Sequence, residues 1–331
     1  MNKLKKRRTL PIKKLLLWFF ILILLVGIVF RYLMVEIPDL LSVMMKVSLS
    51  DLCMASLLVL GNYALRIIRW RFYLSTVDQY PKFLKSALAF IAGLIGCLTP
   101  GKAGELIRCW VSSHYGIPWS ASLATLGVER ISDLLVVVLL ALSGALASNK
   151  HQFTPWAIFL MICLVVIFVI LRKKNLPAVI SNIPFVGKKL TSNIPYLFWT
   201  VIHRSLGGRI LWLTLILGTM GWLLEVACLY LITNSINSAI SWAVCLSAFG
   251  FGILAGALSM IPGGLGSAEA VMTTIFVWSG VSLVDSVAIV IVFRFCTLWL
   301  GFSLGVLATL SHSFLVLSKS AMTWSDPPPL K

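Results

Sequence analysis

The sequence predicts an all-α polytopic membrane protein, and three observations lead to this fold class. Of the 331 residues, 59% are hydrophobic and only 12% are charged, about half of the roughly 25% that is typical of soluble domains. Apolar runs long enough to cross a bilayer, which takes about 20 residues, recur along the chain. The basic residues lie mostly between these runs, which is the positive-inside pattern of membrane proteins.

About six apolar runs are predicted to cross the membrane completely. The first of them follows a basic segment, residues 1–14, which carries seven Lys and Arg residues. No small-x-small cleavage site follows this run, so a retained helix is favoured over a secretory signal. The predicted crossings are Leu15–Val35, Leu52–Ile68, Pro118–Ala147, Pro155–Leu171, Ile210–Thr233 and Ser282–Leu317. Together they form one membrane domain over residues 15–317, followed by a cytoplasmic tail, residues 318–331.

Two further apolar segments are each interrupted by Pro and Gly. Phe83–Leu98 is followed by a break and then by Leu106–Tyr115, and Trp242–Ile261 is followed by a break and then by Ala270–Ser279. Non-helical backbone is tolerated at membrane depth only where protein or a wet cavity satisfies its polar groups. We therefore predict two broken re-entrant hairpins, each of which returns to the side of the membrane from which it starts.

The distribution of the 28 Lys and Arg residues predicts the orientation. With a cytoplasmic N-terminus, 21 of them fall in inner segments, including residues 66–85 and 172–209, and three fall in outer segments. Both termini are then predicted to be cytoplasmic. Residues 172–209 form either an ordinary basic loop or an interfacial element that touches anionic lipid.

Composition also excludes several classes of protein. The net charge of +17 can indicate nucleic-acid binding, but the basic residues follow the membrane topology, so no nucleic-acid partner is expected. The seven cysteines include no CxxC pair. This pattern indicates that the cysteines are small, buried apolar side chains and do not form disulfides or a metal site.

An internal repeat relates the two hairpins. A Pro-Gly pair with a second Gly four residues after the Pro begins at Pro100 and again at Pro262. Each motif leads to a glutamate, Glu105 or Glu269, which is followed by Gly 11 residues later and by Arg 25 residues later. The first hairpin enters from inside and the second from outside, so the repeat is predicted to be inverted, as in many secondary transporters. The two copies span about residues 83–147 and 242–317.

Each break leaves the N-terminus of a half-helix within the membrane, where unpaired backbone N–H groups favour an anion. Glycine lets a ligand approach the backbone closely, and arginine can bind a phosphate through two parallel hydrogen bonds. Ionisable side chains at this depth cost about 2.5–3.5 kcal/mol each and mark candidate functional sites. The residues predicted to bind a phosphate-containing lipid headgroup are Lys102, Arg108, Arg130, Arg294, Gly101, Gly104, Gly263, Gly264 and Gly266.

Acidic residues at the same depth are predicted to pair with these cations or to carry protons. The repeat predicts ion pairs from Glu105 to Arg130 and from Glu269 to Arg294, while Glu105 and Arg108 share a helix face. Structural salt bridges that hold the broken helices together are the alternative. For Glu225 the alternative is a neutral, hydrogen-bonded acid. The full set is Glu105, Glu129, Asp133, Glu269 and Glu225.

The combined motifs resemble the lysylphosphatidylglycerol synthase transmembrane family, also called flippase-like or UPF0104. They are Pro100-Gly101-Lys102-x-Gly104-Glu105, Glu129-Arg130-x-x-Asp133, Pro262-Gly263-Gly264-Leu265-Gly266-x-x-Glu269 and Arg294, and the resemblance runs over roughly Val47–Leu317. In the multiple peptide resistance factors of this family, the membrane region is linked to flipping of aminoacylated phosphatidylglycerol. We expect a stand-alone membrane domain here, without the aminoacyltransferase domain that makes that lipid.

The resemblance implies translocation of an anionic or zwitterionic lipid, such as an aminoacyl-phospholipid or a polyprenyl-phosphate-linked sugar, across the cytoplasmic membrane. The sequence contains no catalytic or metal-binding motif, and no cofactor is expected. The alternatives are a membrane enzyme or accessory factor that acts on a lipid-linked sugar in envelope glycolipid synthesis, and a transporter of small solutes or ions. A homo-oligomer is compatible with all three.

Overall fold

The computed structural model describes residues 39–76, 78, 80–99, 104–148, scattered positions between 155 and 169, 196–236 and 240–311. Over these ranges the chain is helical and contains no strand. Four of the described helices are long and apolar enough to cross a membrane. The predicted fold class, an all-α polytopic membrane protein, is therefore confirmed.

The helices are numbered here in chain order. They are α1 (Leu49–Ser75), α2 (Phe83–Gly93), α3 (Ile107–Ser113), α4 (Trp119–Ala147), α5 (Tyr196–Ser205), α6 (Gly208–Ile236), α7 (Trp242–Leu258), α8 (Ser267–Trp278) and α9 (Leu283–Arg294). Helix α9 continues through a π-helical turn, Phe295–Trp299, so that its apolar span is Leu283–Ser311. The predicted crossing Leu15–Val35, the segment 1–14, the tail 318–331 and most of residues 172–209 lie outside the described residues.

Helix α1 is longer than its sequence predicts. It begins at a side-chain cap, where Ser48 Oγ accepts the backbone N–H of Asp51 at 3.1 Å, a common way to satisfy the first turn. It then runs beyond the predicted end at Ile68 to Ser75. Arg66, which lies inside the predicted crossing, and Arg69, which follows its predicted end, therefore both lie within the helix. Both arginines have carboxylate partners inside the bundle.

Each broken segment forms two helices that pack against each other, α2 with α3 and α7 with α8. A short 3₁₀ turn lies between the arms of each hairpin, over Leu94–Leu98 in the first and Pro262–Gly264 in the second. Each hairpin also closes on two glycines eight residues apart. A Cβ at Gly104 would lie 2.8 Å from the Cα of Gly96, and a Cβ at Gly264 would lie 2.8 Å from the Cα of Gly256. Because both distances are too short for a side chain, these positions require glycine.

The two breaks meet each other within the bundle. The 3₁₀ turn of the first hairpin contacts that of the second. A Cβ at Gly263 would lie 3.1 Å from Leu98 Cδ2 and 3.5 Å from Leu298 Cδ2. The two 3₁₀ turns and the π-helical turn of α9 therefore lie next to one another.

The long helices approach closely at small residues. A Cβ at Gly250 of α7 would lie 2.6 Å from the Cα of Ala141 in α4, and one at Gly61 of α1 would lie 3.2 Å from Leu224 of α6. Lipid gives helices no hydrophobic drive to associate, so membrane helices depend on such close packing. The contacts α1–α6 and α4–α7 are the most extensive between helices, and the remaining elements pack around them.

We expect Gly144→Ala to lower the free energy of unfolding by about 1–3 kcal/mol, the usual cost of overpacking. A Cβ at Gly144 would lie 2.4 Å from the backbone nitrogen of Ser247, so α4 and α7 would have to separate. Thermal unfolding of the purified protein in detergent measures the change. The control is Gly127→Ala on the same helix, where a Cβ would meet nothing within 4 Å. Equal stability of the two variants would contradict the packing described here.

Candidate functional site

A buried cluster of ion pairs, here called the ionic cluster, joins α1, α3 and α4. Its centre is Glu129, whose side chain is fully buried; its oxygens lie 2.9 Å from Arg69 Nη2 and 2.6 Å from Arg108 Nη1. One helical turn later, Asp133 Oδ1 accepts from Arg69 Nη1 at 2.7 Å and from the Trp222 indole at 3.1 Å. Arg69 thus bridges two carboxylates on one face of α4. The described members of the cluster are Arg66, Arg69, Arg108, Arg130, Glu105, Glu129 and Asp133.

Two arginines approach the same carboxylates from a more open side. The Nη2 atoms of Arg66 and Arg130 each lie 3.2 Å from Asp133 Oδ2. Nη1 of Arg130 also lies 3.5 Å from Glu105 Oε1. The side chain of Arg130 is 28% exposed, compared with 1% for Arg69. Arg130 is therefore the member of the ionic cluster that is most accessible from outside.

The ionic cluster has more positive than negative groups. Its described members are four arginines and three carboxylates, which leaves one formal positive charge in excess. The Nε atoms of all four arginines are buried without a hydrogen-bond partner. A buried donor without a partner costs about 1–3 kcal/mol. An anion with several acceptor oxygens would compensate the excess positive charge and accept hydrogen bonds from the unpaired arginine N–H groups.

Aromatic rings line the apolar side of the cluster. The guanidinium carbon of Arg108 lies 4.2 Å from the centre of the Phe90 ring, and that of Arg66 lies 5.3 Å from the Trp222 ring. Cation–π contacts of this kind contribute about 2 kcal/mol where water is excluded. The rings also lower the local dielectric, which strengthens every charge interaction in the cluster.

The second hairpin carries a smaller ion pair. Arg294 Nε donates to Glu269 Oε1 at 2.6 Å, and Arg294 Nη2 donates to the carbonyl of Gly263. The other oxygen of Glu269 accepts the backbone N–H of Gly266 at 2.7 Å and so caps α8. Arg294 therefore ties the break to the first turn of the following helix.

The π-helical turn begins directly after Arg294. Such turns free backbone groups from the regular helical pattern and occur often at functional sites. Here the carbonyl of Thr297 accepts the Tyr63 hydroxyl at 3.1 Å, which joins α9 to α1.

Both ion pairs that the repeat spacing predicts, Glu105–Arg130 and Glu269–Arg294, are present. The two arginines stand at the twelfth position of spans of equal length, Trp119–Ala147 and Leu283–Ser311, each 29 residues long.

The turns that precede these spans also match. Gly116 and Gly280 have positive φ angles of 84° and 96°. The residue after each glycine donates its N–H to the carbonyl five residues earlier, at 3.2 and 3.1 Å. This is the hydrogen-bond pattern of a glycine-terminated helix. The two copies thus share backbone turns as well as motif residues.

Three members of the ionic cluster that lie in the first copy have uncharged counterparts in the second copy. Counted from the motif glutamates, Arg108 corresponds to Met272, Glu129 to Phe293 and Asp133 to Thr297. Met272 and Phe293 are buried in the hydrophobic core. The two halves therefore share a fold but differ in chemistry.

The predicted pairing of Glu105 with Arg108 is wrong. Glu105 lies in a 3₁₀ turn that precedes α3, so the two residues do not have the geometry of a continuous α-helix. Arg108 binds Glu129 instead, and only 1% of its side chain is exposed. It stabilises the interior of the cluster, behind the more open Arg130.

The predicted glycines have different surroundings. Gly104 and Gly264 pack against other backbone, whereas a Cβ at Gly266 would meet nothing within 4 Å. Positive φ angles of 66° at Gly263 and 85° at Gly266 explain why these positions favour glycine. Lys102 and Gly101 lie outside the described residues.

Sequence reasoning missed Arg66 and Arg69, which the structure places in the cluster, and also Asn62. Asn62 Nδ2 donates to Glu225 Oε1 at 2.5 Å across the α1–α6 contact, so Glu225 is buried and hydrogen-bonded. Residues 62, 66 and 69 recur at the spacing of one helix face. That spacing could have identified them as a polar stripe facing the interior.

The structure and the site together define a polytopic helical membrane protein with two broken hairpins and a buried cluster of charges. A sequence model of the lysylphosphatidylglycerol synthase TM region matches residues 16–305. The chain belongs to this family.

Three relatives carry the name UPF0104 membrane protein. One from Pyrococcus horikoshii is 24% identical over 307 residues, which cover 84% of this chain and 91% of the relative. One from Methanothermobacter thermautotrophicus is 25% identical over 283 residues, or 77% of this chain and 81% of the relative. A further match from that organism is 33% identical over 87 residues and spans 26% of each chain. The similarity to the first two extends over most of both chains.

We expect Glu129→Gln to destabilise the protein far more than Arg108→Gln, although the two side chains contact each other. Loss of Glu129 raises the excess charge of the described cluster to two, whereas loss of Arg108 leaves three arginines for three carboxylates. Removing one partner of a buried pair typically costs about 3–5 kcal/mol because a charge is left uncompensated. Thermal unfolding in detergent compares the variants. Equal destabilisation by the two substitutions would show that charge balance does not govern the cluster.

Proposed function

We propose that the protein moves a lipid with an anionic or zwitterionic, phosphate-containing headgroup between the leaflets of the cytoplasmic membrane, with both termini on the cytoplasmic side. The observation that carries this proposal is the ionic cluster, which lies in an apolar helical bundle and holds an excess positive charge beside a broken hairpin. Charged groups inside the membrane typically mark substrate pathways. The family is named for the membrane region of a lipid synthase, which agrees with a lipid substrate.

In this proposal the headgroup phosphate competes with Glu105 for Arg130. At 3.5 Å the Glu105–Arg130 pair is loose, whereas the Glu129–Arg108 pair is tight at 2.6 Å. Arg130 also has a donor, Nε, without a hydrogen-bond partner. Binding at Arg130 therefore adds hydrogen bonds to phosphate without disrupting the tight pairs in the interior.

The hairpins provide the moving parts of the proposed mechanism. Their tips contact each other, and the pair of Arg294 with Glu269 and Gly263 holds the second tip in place. Replacement of Glu269 by a headgroup phosphate on Arg294 releases that tip. Glu269 and Glu105 return to their arginines when the lipid leaves, and their protonation is a means of coupling transport to a proton gradient. Inverted halves then open the site to each side in turn.

Reconstitution of the protein in liposomes tests the proposal with fluorescent phosphatidylglycerol, aminoacyl-phosphatidylglycerol and a polyprenyl-phosphate sugar. We expect wild-type protein to accelerate leaflet exchange of at least one of these lipids. Arg130→Gln and Arg294→Gln should slow this exchange about tenfold or more, since a hydrogen bond to a charged group contributes about 1.5–3 kcal/mol. Arg209→Gln, at an exposed position at the start of α6, removes the same charge outside the site and serves as the control.

Absence of exchange for all three lipids by folded wild-type protein would refute the translocase proposal. Conversion of a lipid-linked sugar donor by the purified protein would then support the enzyme alternative. In that case the Glu–Arg pairs would be structural.

A further inference from the structure

We infer that Arg66 of α1 binds the headgroup phosphate together with Arg130, and that their site prefers a lipid with a single phosphodiester charge. This inference rests on the proposed function and specifies its substrate. Arg66 lies outside both copies of the repeat, and the charge distribution assigned it to an inner segment. Its position within the ionic cluster carries the argument.

Arg66 and Arg130 meet at one carboxylate oxygen. Their Nη2 atoms each lie 3.2 Å from Asp133 Oδ2, so these two nitrogens are no more than about 6.4 Å apart. A phosphate group that binds one of them is therefore within reach of the other. Arg–phosphate contacts are typically made by several N–H donors at once.

Accessibility separates these two arginines from the others. The side chains of Arg130 and Arg66 are 28% and 11% exposed, whereas those of Arg69 and Arg108 are both 1% exposed. Arg69 and Arg108 also bind Glu129 at 2.9 and 2.6 Å, in the sealed interior. A ligand that enters from the open side meets Arg130 first and Arg66 next.

Both side chains also have a donor that is not used within the cluster. Nε of Arg66 and Nε of Arg130 are buried without a hydrogen-bond partner, as are those of Arg69 and Arg108 in the less exposed interior. The two non-bridging oxygens of a phosphodiester accept several such bonds. The rings of Trp222 and Phe90, 5.3 and 5.9 Å from the Arg66 guanidinium carbon, hold that group at the site and limit its exposure to water.

The charge of the described cluster selects the ligand. One phosphodiester neutralises its single excess positive charge. A phosphomonoester with two negative charges would give the cluster an excess negative charge within an apolar bundle. An uncharged lipid would leave the excess positive charge without compensation. Uncompensated buried charge is strongly unfavourable. The site therefore distinguishes lipids by the number of charges on the phosphate.

The test measures equilibrium binding of three radiolabelled short-chain lipids to the purified full-length chain in detergent. They are phosphatidylglycerol, a phosphodiester; phosphatidic acid, at a pH at which it carries two charges; and uncharged diacylglycerol. The variants are Arg66→Gln, Arg66→Lys and, as control, Arg71→Gln on the same helix, which contacts Phe83 and lies outside the cluster. Thermal unfolding and gel filtration establish that each variant is folded.

We expect wild-type protein and Arg71→Gln to bind phosphatidylglycerol about tenfold or more tightly than the other two lipids. Arg66→Gln should weaken that binding about tenfold, in line with loss of one charged hydrogen bond. Arg66→Lys keeps the charge but loses the guanidinium donors, so it should bind less tightly than wild type and retain the preference. If Arg66→Gln does not fold, Arg66→Lys alone decides the role of the guanidinium group.

Binding of phosphatidylglycerol that is unchanged in both Arg66 variants would overturn the role of Arg66. Equal binding of phosphatidic acid and phosphatidylglycerol by wild-type protein would overturn the charge preference. If wild-type protein binds none of the lipids that carry phosphate, the proposed function fails as well. If neither Arg66 variant changes the exchange of phosphate lipids in liposomes, the proposed translocase function still holds and only the inference about Arg66 is refuted.

Discussion

The structure depends on the balance of charge around Glu129. All four arginines of the ionic cluster have a nitrogen within 3.7 Å of this one carboxylate. In an apolar bundle each of these charges would be costly alone, so α1, the second arm of the first hairpin and α4 are held together by their mutual compensation. Close approach at small residues sets how closely the long helices pack, whereas the ion pairs hold α1, α3 and α4 next to one another.

Glycine provides the second constraint. Each broken hairpin closes where a side chain would collide with backbone, at Gly96 with Gly104 and at Gly256 with Gly264. This close approach brings the two breaks together and positions Arg294 to bind the carbonyl of Gly263. These glycines are therefore integral to the packing of the bundle. In the second hairpin the backbone N–H groups of Gly264, Leu265 and Gly266 all have acceptors within the protein, as membrane depth requires.

The sequence predicted those parts of the structure that depend on local pattern. Hydropathy predicted the fold class, and the shared spacing of 25 residues predicted the Glu105–Arg130 and Glu269–Arg294 pairs. It did not predict the partners of Arg69, because they lie 60 and 64 residues away and a basic residue near a helix end usually belongs to a loop. The sequence also did not predict that Arg108 binds Glu129, because hydrophobic periodicity does not reveal the 3₁₀ turn at Glu105.

The two halves have matching turns and ion pairs but unequal surroundings. In the first half the arginine belongs to a cluster with excess charge and unused donors, whereas in the second half Arg294 has Met272 and Phe293 at the positions equivalent to Arg108 and Glu129. An anion thus gains more at the first half than at the second, where it must replace Glu269 and the Gly263 carbonyl. Under the proposed function, this inequality favours the first half as the stronger site for the headgroup phosphate.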